Sequence, residues 1–185
     1  MIRFFDLLLS ISGIILLSPV FIILMIIGLF DTASPLFIQT RLGKHQKPFK
    51  LIKFRTMNIG TAQVGTHLAN TNDITPFGHF LRKTKLDELP QLVNVFIGNM
   101  SFVGPRPGLP TQLKLLHERE KRLVFKQKPG ITGLAQINEI DMSTPLKLAR
   151  YDALMGSKLS SCLYFKTIIA TAMGKGGGDR VKNTI

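Results

Sequence analysis

The sequence predicts a mostly α-helical protein with a few short β-strands and an N-terminal segment that enters a membrane. Residues 7–30 form an uncharged, apolar stretch of 24 residues. Much of the remaining chain carries apolar side chains at helical spacing, separated by turns that contain Gly and Pro. β-like apolar runs are short and occur around residues 49–55 and 131–138. The sheet content is therefore expected to be small.

The composition narrows the class of partner. Among 185 residues, 24 Lys and Arg exceed 11 Asp and Glu, so the net charge is +13. Hydrophobic residues make up 45%, which is too high for a disordered chain. A basic and apolar chain is suited to a nucleic acid, an anionic membrane surface or a phosphorylated substrate. Cys162 is the single cysteine, which excludes an internal disulfide framework.

The apolar stretch is long enough to cross a bilayer. A straight helix over residues 7–30 is ~36 Å long, against ~30 Å of hydrocarbon, whereas the apolar region of a signal peptide is usually only ~7–15 residues. Ser18-Pro19 interrupts the stretch, because Pro has no backbone N–H and clashes with the preceding turn. The Ser18 hydroxyl is suited to bond a carbonyl freed at the break. Each half is only ~16 Å long, so a kinked span and a broken helix that returns to the same face are both open.

A basic run follows the apolar stretch and indicates which side of the membrane the next domain occupies. Basic residues just beyond a membrane segment stay in the cytoplasm, and most of this run is expected to face anionic headgroups. Residues 49–55 predict a short strand, on which Lys53 and Arg55 share one face. The run contains no acid and consists of Arg41, Lys44, Lys47, Lys50, Lys53 and Arg55.

The middle of the chain predicts a loop followed by a helix. Residues 58–80 are polar and are expected to form a loop that closes at Thr75-Pro76. Thr84 with an acid three residues later is typical of a helix N-terminus, and Gly98 is expected to end that helix. Its apolar stripe consists of Leu86, Leu89, Leu92, Val93 and Phe96.

The second half of the chain predicts a rigid turn and three more helices. Two Gly and two Pro surround Arg106 in the turn 104–108, and a guanidinium on a stiff loop suits phosphate recognition. Helices are predicted over 112–127, 145–155 and 159–173. The last is expected to lie in the membrane interface with its apolar side downward, a side formed by Phe165, Ile168 and Ile169.

Asp87 and Glu88 are the residues most suited to chemistry. They are adjacent acids at a predicted helix N-terminus, where the helix dipole favours anions, and they follow three cations. Such acids often serve only to stabilise the first turn of a helix. A carboxylate can also attack phosphorus and form an acyl phosphate, which divides a transfer into two steps. Because neighbouring side chains on a helix point in different directions, the two acids are expected to have different roles.

Four runs of sequence, in order, resemble the bacterial sugar transferase family, the monotopic phosphoglycosyl transferases. They are Leu51-Ile52-Lys53-Phe54-Arg55-Thr56-Met57, Leu86-Asp87-Glu88-Leu89-Pro90-Gln91-Leu92, residues 94–107 ending in Gly104-Pro105-Arg106-Pro107, and residues 128–138 beginning with Lys128-Pro129-Gly130. The resemblance covers nearly the whole chain up to Asn138. It implies transfer of a sugar phosphate from a UDP-sugar to polyprenyl phosphate, with Mg²⁺ and a covalent intermediate. UMP and polyprenyl-diphosphate sugar are the implied products.

The resemblance also implies roles for individual residues. Asp87 matches the nucleophile of the family's acid dyad and is a candidate Mg²⁺ ligand, and Glu88 matches its partner. Phosphate-holding positions are matched by Lys53, Arg82 and Arg106, and Asp152 matches an acid in a later helix. Ser18-Pro19 matches the break of a re-entrant membrane helix.

These inferences together predict three parts: a re-entrant hairpin over 1–31, a catalytic domain over 32–173 on the cytoplasmic face of the bacterial inner membrane, and a flexible Gly-rich tail over 174–185. The chain departs from the family pattern at residues 139–145, which leaves substrate contacts there open. The alternative is a membrane-anchored basic module that binds anionic lipid or nucleic acid.

Overall fold

The computed structural model describes residues 1–61 and 70–176. As predicted, this part of the chain is mostly helical with a few short strands. Its helices are α1 (Ile2–Leu16), α2 (Ser18–Thr32), α3 (Pro76–Thr84), α4 (Gln91–Phe96), α5 (Leu113–Lys121), α6 (Leu134–Ile137), α7 (Pro145–Lys158) and α8 (Ser161–Ala172). Its strands are β1 (Leu36–Leu42), β2 (Pro48–Phe54), β3 (Ser101–Val103) and β4 (Gly130–Thr132).

The N-terminal apolar stretch forms two helices that meet at the predicted break. The axes of α1 and α2 are bent by 62°. The Ser18 hydroxyl donates to the Ile15 carbonyl at 2.8 Å, and this is the carbonyl that a residue with an N–H at position 19 would have bonded. No single helix in the described residues has the length and apolarity to cross a membrane, whereas the bent pair taken together does.

The N-terminal end of the bent pair α1–α2 is fixed to the rest of the described protein, which is called the body below. Arg3 donates to the carbonyls of Val95 and Phe96 at 2.6 and 2.7 Å, at the C-terminus of α4. Lone carbonyls at a helix C-terminus are favourable partners for a cation. Three turns later, Gly13 lies against Leu92, which is also in α4. These contacts fix α1 along α4.

Asp6 connects α1 to the far side of the body. Its side chain is 2% exposed, and one carboxylate oxygen accepts bonds from the Ser101 hydroxyl, the Phe102 N–H and the Tyr164 hydroxyl at 2.9, 3.0 and 2.8 Å. Burial and the bond to Asp6 raise the pKa of Tyr164. A buried carboxylate is tolerated only when such donors satisfy it.

The second end of the bent pair is fixed as well. Asp31, at the end of α2, accepts a bond from the Thr75 hydroxyl at 2.7 Å. Thr75 is the N-cap of α3 and also accepts from Gly78 N–H at 2.9 Å. Leu24 of α2 packs in a cluster with Phe54 and Leu81. Both ends of the bent pair therefore contact the same body.

An antiparallel ribbon forms one wall of the site. β1 pairs with β2, with Gln39 opposite Leu51 and Arg41 opposite Phe49. The buried Asn94 of α4 completes the other edge of β2, because its side chain accepts from the Ile52 N–H and donates to the Lys50 carbonyl. This single amide replaces a strand neighbour and fixes α4 against the ribbon.

The second strand pair is short and parallel, with Ser101 opposite Gly130 and Val103 opposite Thr132. Its backbones approach so closely that a Cβ on Gly104 would lie 2.4 Å from the Lys128 carbonyl, and one on Gly130 would lie 2.0 Å from the Gly104 nitrogen. Only glycine fits at both positions. This contact brings two of the sequence runs that carry the family resemblance side by side.

The prediction for residues 58–98 was partly wrong. The loop closes at Thr75-Pro76 as expected, where α3 begins, but Thr84 ends a helix instead of beginning one. The Thr-Pro pair is a helix start, because Thr75 caps α3 and Pro76 occupies its first position. Gly98 ends the following segment with φ +92°, as predicted. Residues 62–69 lie outside the described residues.

Three other predicted segments differ in the structure. The helix over 112–127 ends at Lys121, and Leu123 has a left-handed φ of +56° before a short 3₁₀ turn. The β-like run 131–138 is a strand only to Thr132 and then becomes α6. Phe165 and Ile168, two of the three residues predicted to face the membrane, are partly buried and pack in a cluster with Phe5 of α1, whereas Ile169 is 56% exposed. Most of the predicted tail, from residue 177, lies outside the described residues.

Candidate active site

A tight turn holds the two acids. Lys85 adopts a left-handed φ of +59°, which ends α3 and starts the 3₁₀ turn Leu86–Glu88. Asp87 is 1% exposed and Glu88 is 9% exposed. The turn contacts α3 on one side and β2 on the other. Two carboxyl groups are thus held in the interior at a point where cations from several elements converge.

Arg106 is the first of these cations. Its guanidinium donates to a Glu88 carboxylate oxygen at 3.0 Å, and its side chain keeps 25% of its exposure. The turn that carries it is fixed by backbone bonds from Gly104 N–H to the Thr132 carbonyl and from Gly130 N–H to the Pro105 carbonyl, at 2.8 and 3.0 Å. Arg106 is therefore partly paired, partly exposed and set on a stiff support.

Lys53 is the second cation. Although it is a lysine, it is only 9% exposed, and its ammonium lies 5.7 Å from the centre of the Phe37 ring. Arg55, the residue after β2, lies over the same ring at 5.5 Å, so the two side chains point to the same side, as predicted. Arg55, however, donates to the Ser34 carbonyl at 2.7 Å and so ties the end of α2 to the ribbon.

A shallow pocket lies beside these cations, with about 290 Å³ of space that includes open solvent. Its charged and polar lining comes from Arg41, Lys53, Arg106 and Gln91. The rest of the lining is Leu51, Pro107 and Gly130. Among the residues that the structure describes, the lining contains three cations and no acid, so the pocket attracts an anion.

Arg82 is located next to the acid turn. It is in the last turn of α3, and its Nε donates to the Thr56 hydroxyl at 2.9 Å. Gly78 permits this packing, because a Cβ there would lie 2.1 Å from the Thr56 carbonyl. The structure thus brings Lys53, Arg82 and Arg106 to the elements that flank the turn, although these residues are far apart in sequence.

Asp152 has a different environment. It is 1% exposed and forms an ion pair with the buried Arg119, whose guanidinium nitrogens lie 2.8 and 2.9 Å from one carboxylate oxygen. Burial raises the pKa of Asp152, and Arg119 opposes that shift. Arg119 borders a second hollow of about 210 Å³ that Arg106 also lines. A substrate contact for Asp152 stays a prediction.

A family model described as bacterial sugar transferase matches residues 1–175.

The chain belongs to the bacterial sugar transferase family.

Individual relatives agree with this family assignment. The chain is 44% identical over 142 residues to the uncharacterized sugar transferase EpsL of Bacillus subtilis, covering 74% of this chain and 67% of EpsL. It is 33% identical over 196 residues to the exopolysaccharide production protein ExoY of Sinorhizobium fredii, covering 94% and 86%.

A third relative is longer. The chain is 40% identical over 142 residues to the UDP-glucose:undecaprenyl-phosphate glucose-1-phosphate transferase of Escherichia coli, a match that covers 72% of this chain. The chain spans only 30% of the length of that relative.

The sequence analysis of this bacterial sugar transferase did not single out three charged residues that are buried in the structure: Asp6, Arg41 and Arg119. Arg41 was assigned to the lipid-facing basic run, yet it is 7% exposed and lines the pocket. Arg119 and Asp6 gave no signal in the sequence, since their partners are 33 or more residues away along the chain.

Proposed function

We propose that this bacterial sugar transferase moves a sugar phosphate from a UDP-sugar to polyprenyl phosphate, which gives polyprenyl-diphosphate sugar and UMP. The observation that carries the proposal is the buried acid turn whose Glu88 is bonded to Arg106 at the edge of a cation-lined pocket. The printed name of the Escherichia coli relative, a UDP-glucose:undecaprenyl-phosphate glucose-1-phosphate transferase, supports it further.

Asp87 is the nucleophile in this proposal. Its carboxylate attacks the phosphorus that bears the sugar, an oxygen–phosphorus bond forms, and the bond to the second phosphate breaks so that UMP leaves with the electron pair. A phosphate oxygen of the polyprenyl acceptor then attacks the same phosphorus. The bond to Asp87 breaks and the carboxylate is restored. No oxidant, reductant or net proton source is needed.

The surrounding cations make attack by an anion on an anion feasible. Lys53 and Arg106 line the pocket and neutralise phosphate oxygens, which would otherwise repel a carboxylate. Glu88 holds Arg106 in position and takes a supporting role. Adjacent positions on a 3₁₀ turn point about a third of a turn apart, so Glu88 and Asp87 do not share one line of attack.

The donor set at the turn fits Mg²⁺ bound jointly with substrate. Mg²⁺ usually takes one or two carboxylates together with substrate phosphates and waters. Within residues 1–61 and 70–176, no group of three His, Cys, Asp or Glu side chains forms a metal cage. Asp87 would hold the ion, which when bound supplies positive charge to the phosphate oxygens.

The bent N-terminal pair is proposed to be a re-entrant anchor in the inner membrane, with the catalytic domain on the cytoplasmic face. Contacts of both its ends with one body support this, because Arg3 and Asp31 are both bonded to that body. The basic surface is proposed to meet anionic lipid. Exposed apolar side chains cover the remaining sides of the pair, namely Phe4, Leu8, Ile11, Ile15, Leu16, Ile22, Ile23, Ile26 and Phe30.

The test omits the acceptor lipid. Purified protein in detergent is mixed with a UDP-sugar and Mg²⁺, and peptides are searched by mass spectrometry for a phosphosugar adduct on Asp87. UMP is expected in an amount no greater than that of the enzyme. Asp87→Asn should give neither adduct nor UMP. Glu88→Gln should still give the adduct, with turnover slower by ~10²–10⁴-fold.

Two outcomes would contradict this mechanism. An adduct on Glu88 would exchange the roles of the two acids. UMP that forms only after polyprenyl phosphate is added, with no adduct at any time, would indicate direct transfer between substrates. Failure of every UDP-sugar in a panel, with lipid present, would reject the reaction itself.

A further inference from the structure

Two cations, Arg3 and Lys128, lie together at the C-terminal end of α4, away from the acid turn. Arg3 belongs to the first turn of α1, and Lys128 lies two residues before β4. We propose that they form a binding site for the phosphate of an anionic membrane phospholipid. This inference rests on the membrane attachment in the proposed function and does not depend on the transfer reaction.

The two cations meet beside Gly98, which follows α4. A Cβ on Gly98 would lie 3.3 Å from a terminal nitrogen of Arg3 and 3.6 Å from the Lys128 Nζ. Both cationic nitrogens therefore lie within 4 Å of one point, at a residue that has no side chain. Side chains that are 125 positions apart in sequence are thus brought to a single small region of the surface.

Arg3 is fixed in place and keeps donors for a ligand. Its two terminal nitrogens donate to the carbonyls of Val95 and Phe96 at 2.6 and 2.7 Å. These bonds use two of the five N–H donors of a guanidinium. Carbonyl oxygens orient the group without removing its charge, and within the described residues no hydrogen bond or ion pair joins Arg3 to a carboxylate. Arg3 is therefore a positioned cation with donors to spare.

Lys128 is half-buried, and its ammonium has no hydrogen-bond or ion-pair partner within residues 1–61 and 70–176. Burial and the charge of Arg3 lower the pKa of Lys128, an effect that Asp6 opposes and Lys44 reinforces. The Asp6 carboxylate is itself bonded to Ser101, Phe102 and Tyr164 and forms no bond with Lys128. An anion bound between Arg3 and Lys128 would offset both the burial of the ammonium and the repulsion between the two cations.

The surroundings of the two cations match a lipid better than a soluble anion. Phe4 follows Arg3, Phe96 and Ile97 precede Gly98, and all three apolar side chains are exposed. A phospholipid carries its phosphate directly above its acyl chains, so cations with exposed apolar neighbours suit both parts of the molecule. The charge of Lys44 would repel the ammonium of a zwitterionic headgroup, which favours a headgroup with net negative charge.

The position of the site separates this lipid from the acceptor of the proposed reaction. The acid turn with Asp87 precedes α4, whereas Arg3 and Lys128 lie beyond its other end. The six residues of α4 alone span ~9 Å, which is more than one phosphate group can bridge. A phosphate held by Arg3 and Lys128 therefore does not reach Asp87. The ligand is a resident phospholipid that holds the N-terminus of α1 at the headgroup level.

The test measures lipid binding to the purified full chain in detergent by native mass spectrometry. Dioleoyl phosphatidylglycerol and dioleoyl phosphatidylcholine are titrated separately. Lys128→Met is expected to weaken binding of the first phosphatidylglycerol at least fivefold and binding of phosphatidylcholine less than twofold, whereas Lys128→Arg should stay within twofold of wild type for both. Lys126→Met is the matched control, because Lys126 is an exposed lysine two positions earlier, and it should bind phosphatidylglycerol like wild type.

Unchanged phosphatidylglycerol affinity in Lys128→Met overturns the proposal, and so does an equal loss in Lys126→Met, which would indicate a diffuse charge effect. If Lys128→Met does not fold, Lys128→Gln decides by the same criterion.

Two competitors identify the source of the phosphate. Displacement of phosphatidylglycerol by millimolar inorganic phosphate would indicate a site for the free anion. Displacement by an equimolar amount of polyprenyl phosphate would indicate the acceptor site, and either result overturns the assignment to a phospholipid. UMP release is measured in parallel: a Lys128-dependent lipid site in a chain that releases no UMP from any UDP-sugar would reject the proposed reaction and leave this inference standing.

Discussion

At the scale of single residues, Arg106 is the side chain whose geometry matters most. It bonds Glu88 through one nitrogen and remains one-quarter exposed toward the pocket. A lysine keeps the charge but cannot hold Glu88 and a phosphate at once. Loss of one bond to a charged group costs about 1.5–3 kcal/mol, so Arg106→Lys should lower kcat/KM for the UDP-sugar roughly 10–100-fold. Turnover is measured by UMP release from protein of unchanged melting temperature. A loss of kcat/KM below threefold would mean that the turn 104–108 has only a structural role.

The chain contains only two tyrosines, and they provide a matched test of the buried Asp6 network. The Tyr164 hydroxyl donates to Asp6 at 2.8 Å in a fully buried site. The Tyr151 hydroxyl has no hydrogen-bond partner within the described part of the chain. Tyr164→Phe should therefore lower the free energy of unfolding by about 1.5–3 kcal/mol, while Tyr151→Phe should change it by less than about 0.5 kcal/mol. Thermal unfolding in detergent measures both, and equal effects would contradict a structural role for the Asp6 network.

At the scale of elements, the broken helix pair has a local cause that can be removed. Ser18 bonds the carbonyl that Pro19 leaves without its usual partner, so both residues maintain the break. With Cys162→Ser as background, cysteines introduced for Ile2 and Leu36 should both react with a label that reaches only the cytoplasmic face. Reaction of position 2 with an external label would favour a single span.

Replacing Ser18 and Pro19 together by Ala and Leu should straighten the pair. A continuous helix of that length exceeds the ~30 Å hydrocarbon core, so position 2 should then become accessible from outside in part of the molecules. The contacts of Arg3 and Asp6 with the body oppose this change. Retained cytoplasmic labelling in the double variant would mean that these contacts, and not the break, determine the topology.

At the scale of the whole molecule, the net charge of +13 should speed the capture of an anionic substrate. Within the described part of the chain, the pocket lining adds three cations and no acid to this field. Raising the salt from low to roughly 0.3 M shortens the screening length to below 10 Å, so kcat/KM for the UDP-sugar should fall about tenfold. The value of kcat at saturating substrate, in nanodiscs of neutral lipid, should change far less. A kcat/KM that does not vary with salt would mean that capture depends on short-range contacts alone.

The predictable features of this protein are those with a local cause. The Ser18-Pro19 break, the strand that carries Lys53 and the chain reversal at Gly98 each follow from the chemistry of a few neighbouring residues. Thr84 shows the limit of such reasoning. Its spacing to Asp87 is typical of a helix start, yet Lys85 adopts a left-handed φ of +59° and Thr84 ends α3.

The sequence by itself determined the family and the acid pair, because short motifs carry that information. Its composition showed a basic and apolar chain, and Ser18-Pro19 predicted the break in the N-terminal helix. Only the tertiary structure decided which cations surround the pocket. Arg41 and Lys53 belong to one basic run with Lys50, yet the pairing of β1 with β2 turns the first two inward and leaves Lys50 exposed. The physical reason is that burial depends on strand register and on contacts between distant residues, such as Arg41 with Pro107 and Asp6 with Tyr164. Such contacts leave no periodic or compositional trace in a single sequence.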